Sequence, residues 1–570
     1  MKHPPKSATP SERRQVDRTH PALVLLQAAE GVTAPLGALT LLLAQAVAGS
    51  FNDAVLVVHV TEPSGFEEEG RGGHGSGPPS MFPSTSIAGP ASRTPSVDTE
   101  GGQVGLLRLS LPAEPRRAAA ALADKLRRLL PHFAYVFVDA SARGPELGQV
   151  LVKELASPVL EDFVRRLVLL SRGPLDHLPP VPAAWSVLVT ELLDPVAERQ
   201  APPSLRARPQ PGVWGKLNER AGQVQRMAQR LGERLGGDAI EPQGEPYPEA
   251  RLIPERCRVR LDLPVLAGLR EPAWDRLPEA ARLPFARWGR ALTWRRVGLA
   301  LGGSGAWGYA HIALMRQLEA RGVPIDLVGG SSSGSVMGAF YAVLGAPGLE
   351  LAIARGARLE ALAWLSLVSS TFIDLGADAD LGSALLEDLE VLFLPVATNL
   401  THGRAEVITR STVASAVRAS SSAPGLFAST ITRTGLYVDG AISDNVPVVL
   451  VERMGADLLI ACNPIPGPGR IEVRESQSPV GDFFAELSPW NRLRDLRISF
   501  AMMIHDFGDC EPADTRIVYE PPPDSNALFG TFRFSRAREL VAMVEGDASF
   551  RETIDRSVEA WGRLSAPRIP

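Results

Sequence analysis

The sequence predicts an α/β protein: a three-layer α/β/α domain over residues 291–549, preceded by a smaller parallel α/β domain over residues 21–200. Three observations carry this. In both halves, short apolar runs of strand length alternate with longer helical patterns, as β-α-β units require. Two glycine-rich turns, 302–308 and 329–334, each follow such a run and open a helix. A proline-rich stretch, Pro202 to Pro211, separates the halves as a linker does.

Met1 to His20 is polar and lacks the apolar core of a signal peptide, so residues 1–20 are expected to be a disordered tail. Strands are predicted at 22–27 and 54–60, with a helix at 36–48 between them. The apolar stretch 35–51 contains Thr40, Gln45 and Ser50 and falls short of the roughly 20 clean residues of a membrane span, so it reads as a buried helix. Residues 62–103 are rich in Gly, Pro and Ser and read as a flexible insertion. Regular pattern resumes with a strand at 104–111, a helix at 116–130, and strands at 134–139, 166–171 and 185–190. The first strand-to-helix turn, 28–38, stands where a phosphate-binding loop would, but it has no Gly-Lys-Ser/Thr triplet. A scaffold or a partner surface is the expected role of this first domain.

Residues 201–290 read as a linker and an amphipathic helical region. Apolar residues from Val213 to Leu235 recur at steps of three and four, and Lys216, Arg220, Arg226, Arg230 and Arg234 occupy other positions. Two readings stand: a helix docked on a neighbouring domain, or one lying on an anionic membrane surface. Residues 550–570 are set apart as a C-terminal tail.

Composition narrows the function. Hydrophobic residues make up 45% and charged residues 22%, which suits a folded chain. With 59 basic against 64 acidic residues the net charge is −5, so no global field holds the chain on nucleic acid, and no nucleic-acid partner is expected. The three cysteines, Cys257, Cys462 and Cys510, support neither a disulfide framework nor a metal site, which points to a reducing, cytoplasmic setting.

The second half carries the chemistry. After the strand 297–301 come Gly302, Gly303, Ser304, Gly305, Ala306, Trp307 and Gly308, and then a helix at 309–321. Unpaired N–H groups at a helix N-terminus, with glycines that allow close approach, suit a negative oxygen. Two functions compete for this turn. Gly303, Gly305 and Gly308 fit the G-x-G-x-x-G of dinucleotide binding, with Asp326 downstream. Asp326, however, precedes its strand rather than ending it, so it stands at the wrong edge for a ribose. The other function is an oxyanion hole.

The next turn favours the second. Gly330, Ser331, Ser332, Ser333 and Gly334 form G-x-S-x-G between a strand and a helix, the setting of a nucleophile elbow that lifts Ser332 clear of the sheet. A serine needs a base. A triad of Ser332, Asp439 and His505 is one reading. The alternative uses Asp439 alone, at the end of the strand Tyr437-Val-Asp439 and before Gly440 and Ala441.

On these three ordered motifs, the stretch from about residue 284 to 549 resembles the patatin-like phospholipase family, and more narrowly bacterial relatives of neuropathy target esterase. Ala397 to Leu400, Val417 to Phe427, and Asp444-Asn-Val-Pro447 before Met454-Gly-Ala456 agree with it. The resemblance implies a Ser332–Asp439 dyad without histidine, an oxyanion hole over Gly302 to Gly308, and Gly440 and Ala441 as the rest of the aspartate motif. It also implies hydrolysis of a phospholipid or lysophospholipid acyl ester with release of fatty acid, and no metal or organic cofactor; peripheral contact with the inner membrane face belongs to the second reading of the basic pattern 213–235. This chain departs from the family at Trp307, where Arg or Lys is common, and at Ser304, where Gly is common. Trp307 keeps a second class open, a catalytically weak patatin-like binding or regulatory protein. His311 is expected to bond backbone.

Overall fold

In the computed structural model the described residues are 20–29, 32–61, 96–99, 102–156, 163–172, 178–193, 242–249, 255–263, 277–366, 380–424, 427–465, 513–518 and 533–568, with a few single positions between them. The amphipathic pattern from Val213 to Leu235, Cys510 and His505 lie outside them, as do residues 1–19. The chain divides into two compact units, one of residues 12–195, 252–296 and 562–570, the other of residues 196–251 and 297–561.

The first unit is built on eight strands: β1 (Ala22–Ala28), β2 (Val55–Thr61), β3 (Ser96–Thr99), β4 (Gly102–Ser110), β5 (Tyr135–Asp139), β6 (Val164–Ser171), β7 (Trp185–Leu193) and, after β8 (Gln243–Pro246) of the other unit, β9 (Glu255–Arg260). Their order is β3-β4-β2-β5-β1-β6-β7-β9, parallel except at β3. Strands buried on both faces need no polar alternation, and β1 runs Ala-Leu-Val-Leu-Leu with none of the five more than 5% exposed. The helix Leu36–Phe51 is apolar nearly all round and ends where Asn52 turns left-handed (φ 53°).

Three boundaries differ from the sequence expectation. The insertion 62–103 gives up its end to β3, which pairs antiparallel with β4. The region 201–290, expected as linker and amphipathic helix, also holds a strand: β9 adds to β7 as a parallel edge strand, and Glu279–Leu292 is a helix of the same unit. Its charges hid it. Glu255 points inward and is paired with Arg166 (2.9 Å) and Arg296 (3.1 Å), so a strand that reads Glu-Arg-Cys-Arg-Val-Arg still buries one face. The tail 550–570 is mostly the helix Ala548–Ser565, which buries Phe550, Ile554, Ser557 and Leu564 at helical spacing. Beyond it, the backbone N–H of Arg568 donates to Asp53 (2.6 Å), whose carboxylate also takes a buried ion pair from Arg295.

The second unit is a mixed sheet: β10 (Val297–Leu301), β11 (Leu327–Ser331), β12 (Leu392–Asn399), β13 (Arg404–Arg410), β14 (Thr430–Thr432), β15 (Gly435–Asp439), β16 (Leu458–Asn463) and β17 (Thr515–Val518), together with β8. The order is β14-β15-β12-β11-β10-β16-β17, parallel from β12 to β17. β13 pairs with β12, and β8 closes the free edge of β13, both antiparallel. An apolar core of Ala300, Leu327, Val396, Leu450, Val451 and Leu459 lies against this sheet. Among the described residues no helix is long and apolar enough to cross a membrane.

Candidate active site

The strands of the second unit set three turns side by side. β10 and β11 are parallel neighbours in a register that puts Leu301 beside Gly330, so the turns that leave their carboxyl ends are adjacent. This is where open α/β sheets place their sites. On the far side, β12 bridges two motifs: Val396 pairs with Ser331, and Ala397 pairs with Asp439 of the antiparallel β15. A serine and an aspartate more than a hundred residues apart in sequence thereby meet.

Ser332 adopts φ 50° and ψ −122°, a strained conformation for a residue with a side chain. The surroundings hold it there. Its N–H donates to the carbonyl of Ser420 (3.1 Å), and its carbonyl accepts from the N–H and hydroxyl of Ser335 (3.0 and 2.7 Å). Gly334 has no room for a side chain, since a Cβ there would stand 2.2 Å from the carbonyl oxygen of Leu301. A Cβ on Gly303 would stand 2.6 Å from Cβ of Ser332, so the glycine-rich loop presses directly against the elbow.

Asp439 is 2% exposed, and the Ser332 side chain acts on its carboxyl in favour of the charged form. Oδ1 also accepts the N–H of Ala441 at 2.9 Å. Burial outweighs these two influences, which favour the charged form, and pushes the carboxyl up to about 6. A carboxylate so raised is a better proton acceptor than a solvated one and is still ionised at neutral pH. Among the described residues no histidine bonds either group. His402 is paired with Glu406 (2.8 Å), and His311 is fully buried, with Nε2 donating to the carbonyl of Gly302 (2.7 Å). Burial holds the His311 imidazole down to about 4, hence neutral.

The loop Gly302–Gly308 is tied at three consecutive residues, by three different elements. His311 holds the carbonyl of Gly302; the N–H of Gly303 donates to Oδ1 of Asn445 (2.8 Å); the N–H of Ser304 donates to Oγ of Ser333 (2.8 Å). Gly305 then turns left-handed (φ 61°) and opens a short 3₁₀ turn through Gly308, whose first N–H groups have no partner within the turn. Ser304 sits at φ −162°, outside the left-handed region that favours glycine. Trp307 is 7% exposed and packs inward. Ser331 serves the scaffold, its hydroxyl donating to the carbonyl of Asp444 (2.7 Å). Gly440 and Ala441 open the turn after Asp439.

Asp326 spends a carboxylate oxygen on the N–H of Val297 (3.1 Å) at the amino end of β10, opposite the glycine-rich turn. A dinucleotide would find no acid at the ribose position. No cluster of metal-ligating side chains exists among the described residues. Sequence reasoning missed Asn445 and the tie made by Ser333. The signal for Asn445 was its place in Asp444-Asn-Val-Pro447, six residues after the aspartate.

An α/β unit with a serine on a strained strand-to-helix elbow, beside a glycine-rich loop and a buried aspartate, defines the class. Residues 299–451 match the family model described as patatin-like phospholipase. Proteins named lysophospholipase NTE1 are similar to it: that of Pyricularia oryzae is 29% identical over 285 residues, covering 45% of this chain and 18% of that protein. The one from Coccidioides immitis is 28% identical (48% and 18% covered), and that of Emericella nidulans 32% (50% and 20% covered). The matched part of the chain thus spans about a fifth of these relatives' length. The crystal structure of VipD from Legionella pneumophila is 14% identical, with 47% of this chain and 74% of that one covered, at a TM-score of 0.21.

Proposed function

We propose that this protein hydrolyses lipid acyl esters, of phospholipids or lysophospholipids, through a Ser332–Asp439 dyad. The placement of Ser332 on a strained elbow beside a buried carboxylate of raised basicity, brought together by the register of β12, carries the reading. Ser332 attacks the ester carbonyl while Asp439 takes its proton. The loop Gly302–Gly308 faces the developing oxyanion, with the N–H groups of Gly305 and Ala306 the donors not already spent on Asn445 or Ser333. Asp439 returns the proton to the leaving alcohol, and water, activated by the same carboxylate, releases the fatty acid and frees Ser332. The names of the relatives support lysophospholipid as the substrate class. Work on such a substrate takes place at the membrane face of the cytoplasm, by peripheral contact.

The deciding experiment is labelling with a fluorophosphonate probe, followed by a lipid-class hydrolysis screen against Ser332→Ala. An adduct on Ser332 and fatty acid release lost in the variant are expected. Folded protein that takes no label would overturn the reading in favour of a binding protein.

A further inference from the structure

We infer that Asn445 is a positioning residue for the oxyanion loop, coupling that loop to the turn that carries the proposed base. This deepens the hydrolase reading and rests on it. Asn445 ends the turn that begins at Asp439, and its side chain is buried (1% exposed). The N–H of Gly303 can only donate, so the oxygen of the Asn445 amide must face the loop, as it does at 2.8 Å. The nitrogen end lies beside Gly302, 3.3 Å from where a Cβ on that glycine would stand. It is buried and has no hydrogen-bond partner among the described residues.

That imbalance is informative. Burying an NH₂ group without a partner is unfavourable, and a residue kept only to fill space would be apolar. What the amide supplies is a neutral acceptor. An ionised aspartate at 445 would accept the same N–H, but would set a negative charge beside the loop that must stabilise an oxyanion and near the buried Asp439. Asparagine holds Gly303 without that charge.

The tie matters because Gly303 leads into the turn opened by Gly305 and stands against Ser332, its absent Cβ only 2.6 Å from that of the serine. A shift of the loop by about 1 Å is enough to cost roughly 100-fold in rate. The same turn is fastened from the other side, since Ser331 donates to the carbonyl of Asp444. Elbow, base and oxyanion loop are thus joined through residues 439–445.

The test combines hydrogen exchange with kinetics on a short-chain nitrophenyl ester, for wild type, Asn445→Ala and Asn445→Asp. In Asn445→Ala the peptide spanning 301–308 is expected to exchange about tenfold faster while peptides elsewhere are unchanged. Its kcat falls by about 10–100-fold with KM within about threefold of wild type. Asn445→Asp keeps the acceptor, so its loop exchanges within about threefold of wild type. An unchanged loop in Asn445→Ala, or a loss confined to KM, would overturn the inference. If Asn445→Ala does not fold, Asn445→Asp decides: slow loop exchange supports the tie, fast exchange refutes it. A wild type that neither hydrolyses nor labels would sink the hydrolase reading and leave the hold on the loop to be read by exchange alone.

Discussion

The hydroxyl of Ser331 donates to the backbone carbonyl of Asp444 at 2.7 Å, which locks the residue before the nucleophile to the turn after the base. The distance between Ser332 and Asp439 is therefore fixed by covalent neighbours on both sides, and each proposed catalytic group can be removed without loosening the other.

Asp439→Asn should lower ester hydrolysis by about 10²–10⁴-fold, the range general-base removal gives, and Ser332→Ala, which removes the nucleophile, by at least as much. Asparagine retains an oxygen for the N–H of Ala441, so circular dichroism of both variants should match wild type.

Asp439 also sets the pH profile. The base must be ionised, so kcat/KM should rise through about pH 6 and level off above it. The same shift acts on stability with the opposite trend. An unfolded aspartate titrates near 3.9, so the native state holds its proton longer, and stability is lost as pH rises from about 4 through 6. Asp439→Asn removes this loss and should raise the unfolding free energy at pH 7 by about 2–3 kcal/mol, with the gain gone at pH 4. A variant no more stable than wild type at pH 7 contradicts the burial argument.

Histidines should not titrate in the reaction. His505→Ala is expected to keep kcat within about twofold, whereas a loss as large as that of Asp439→Asn would replace the dyad by a triad. His311→Leu leaves the carbonyl of Gly302 without its donor and should cost about 1–3 kcal/mol in urea unfolding. Because native His311 titrates near 4 and the unfolded side chain near 6.5, its contribution to stability is lost as pH falls through that window.

In the first unit, Asp53→Ala strands a buried guanidinium. Asp53 and Arg295 are both fully buried as side chains, and Arg568 leans on the same carboxylate through its N–H. Breaking such a pair costs about 3–5 kcal/mol, which thermal unfolding should register as a lowered or lost transition.

How far the sequence was legible follows from what each feature depends on. The glycine-rich loop, the elbow and the aspartate turn are local, and each announces itself within about seven residues at a strand end. The contacts that hold them are not. Asn445 reaches Gly303 across 142 positions, and no spacing rule singles out that asparagine from others in turns. β9 escaped because its inward acid is neutralised by Arg166 and Arg296, and a strand that buries a charge does not alternate apolar with polar. The closing helix escaped because its apolar residues are diluted by charged ones, which favoured a tail.

The small strand β8 lies far from the family-matched stretch in sequence, yet it covers β13, whose outer edge would otherwise present bare N–H and C=O groups. Its neighbours add Tyr247 on Asp444 (2.8 Å) and the carbonyl of Pro248 on Arg453 (2.6 Å). A fragment trimmed to begin near residue 290 would keep every proposed catalytic group and lose this cover. Such a protein is expected to stick to itself through the exposed rim of β13, so the shortest form of this unit that stays dispersed is expected to start upstream of Gln243.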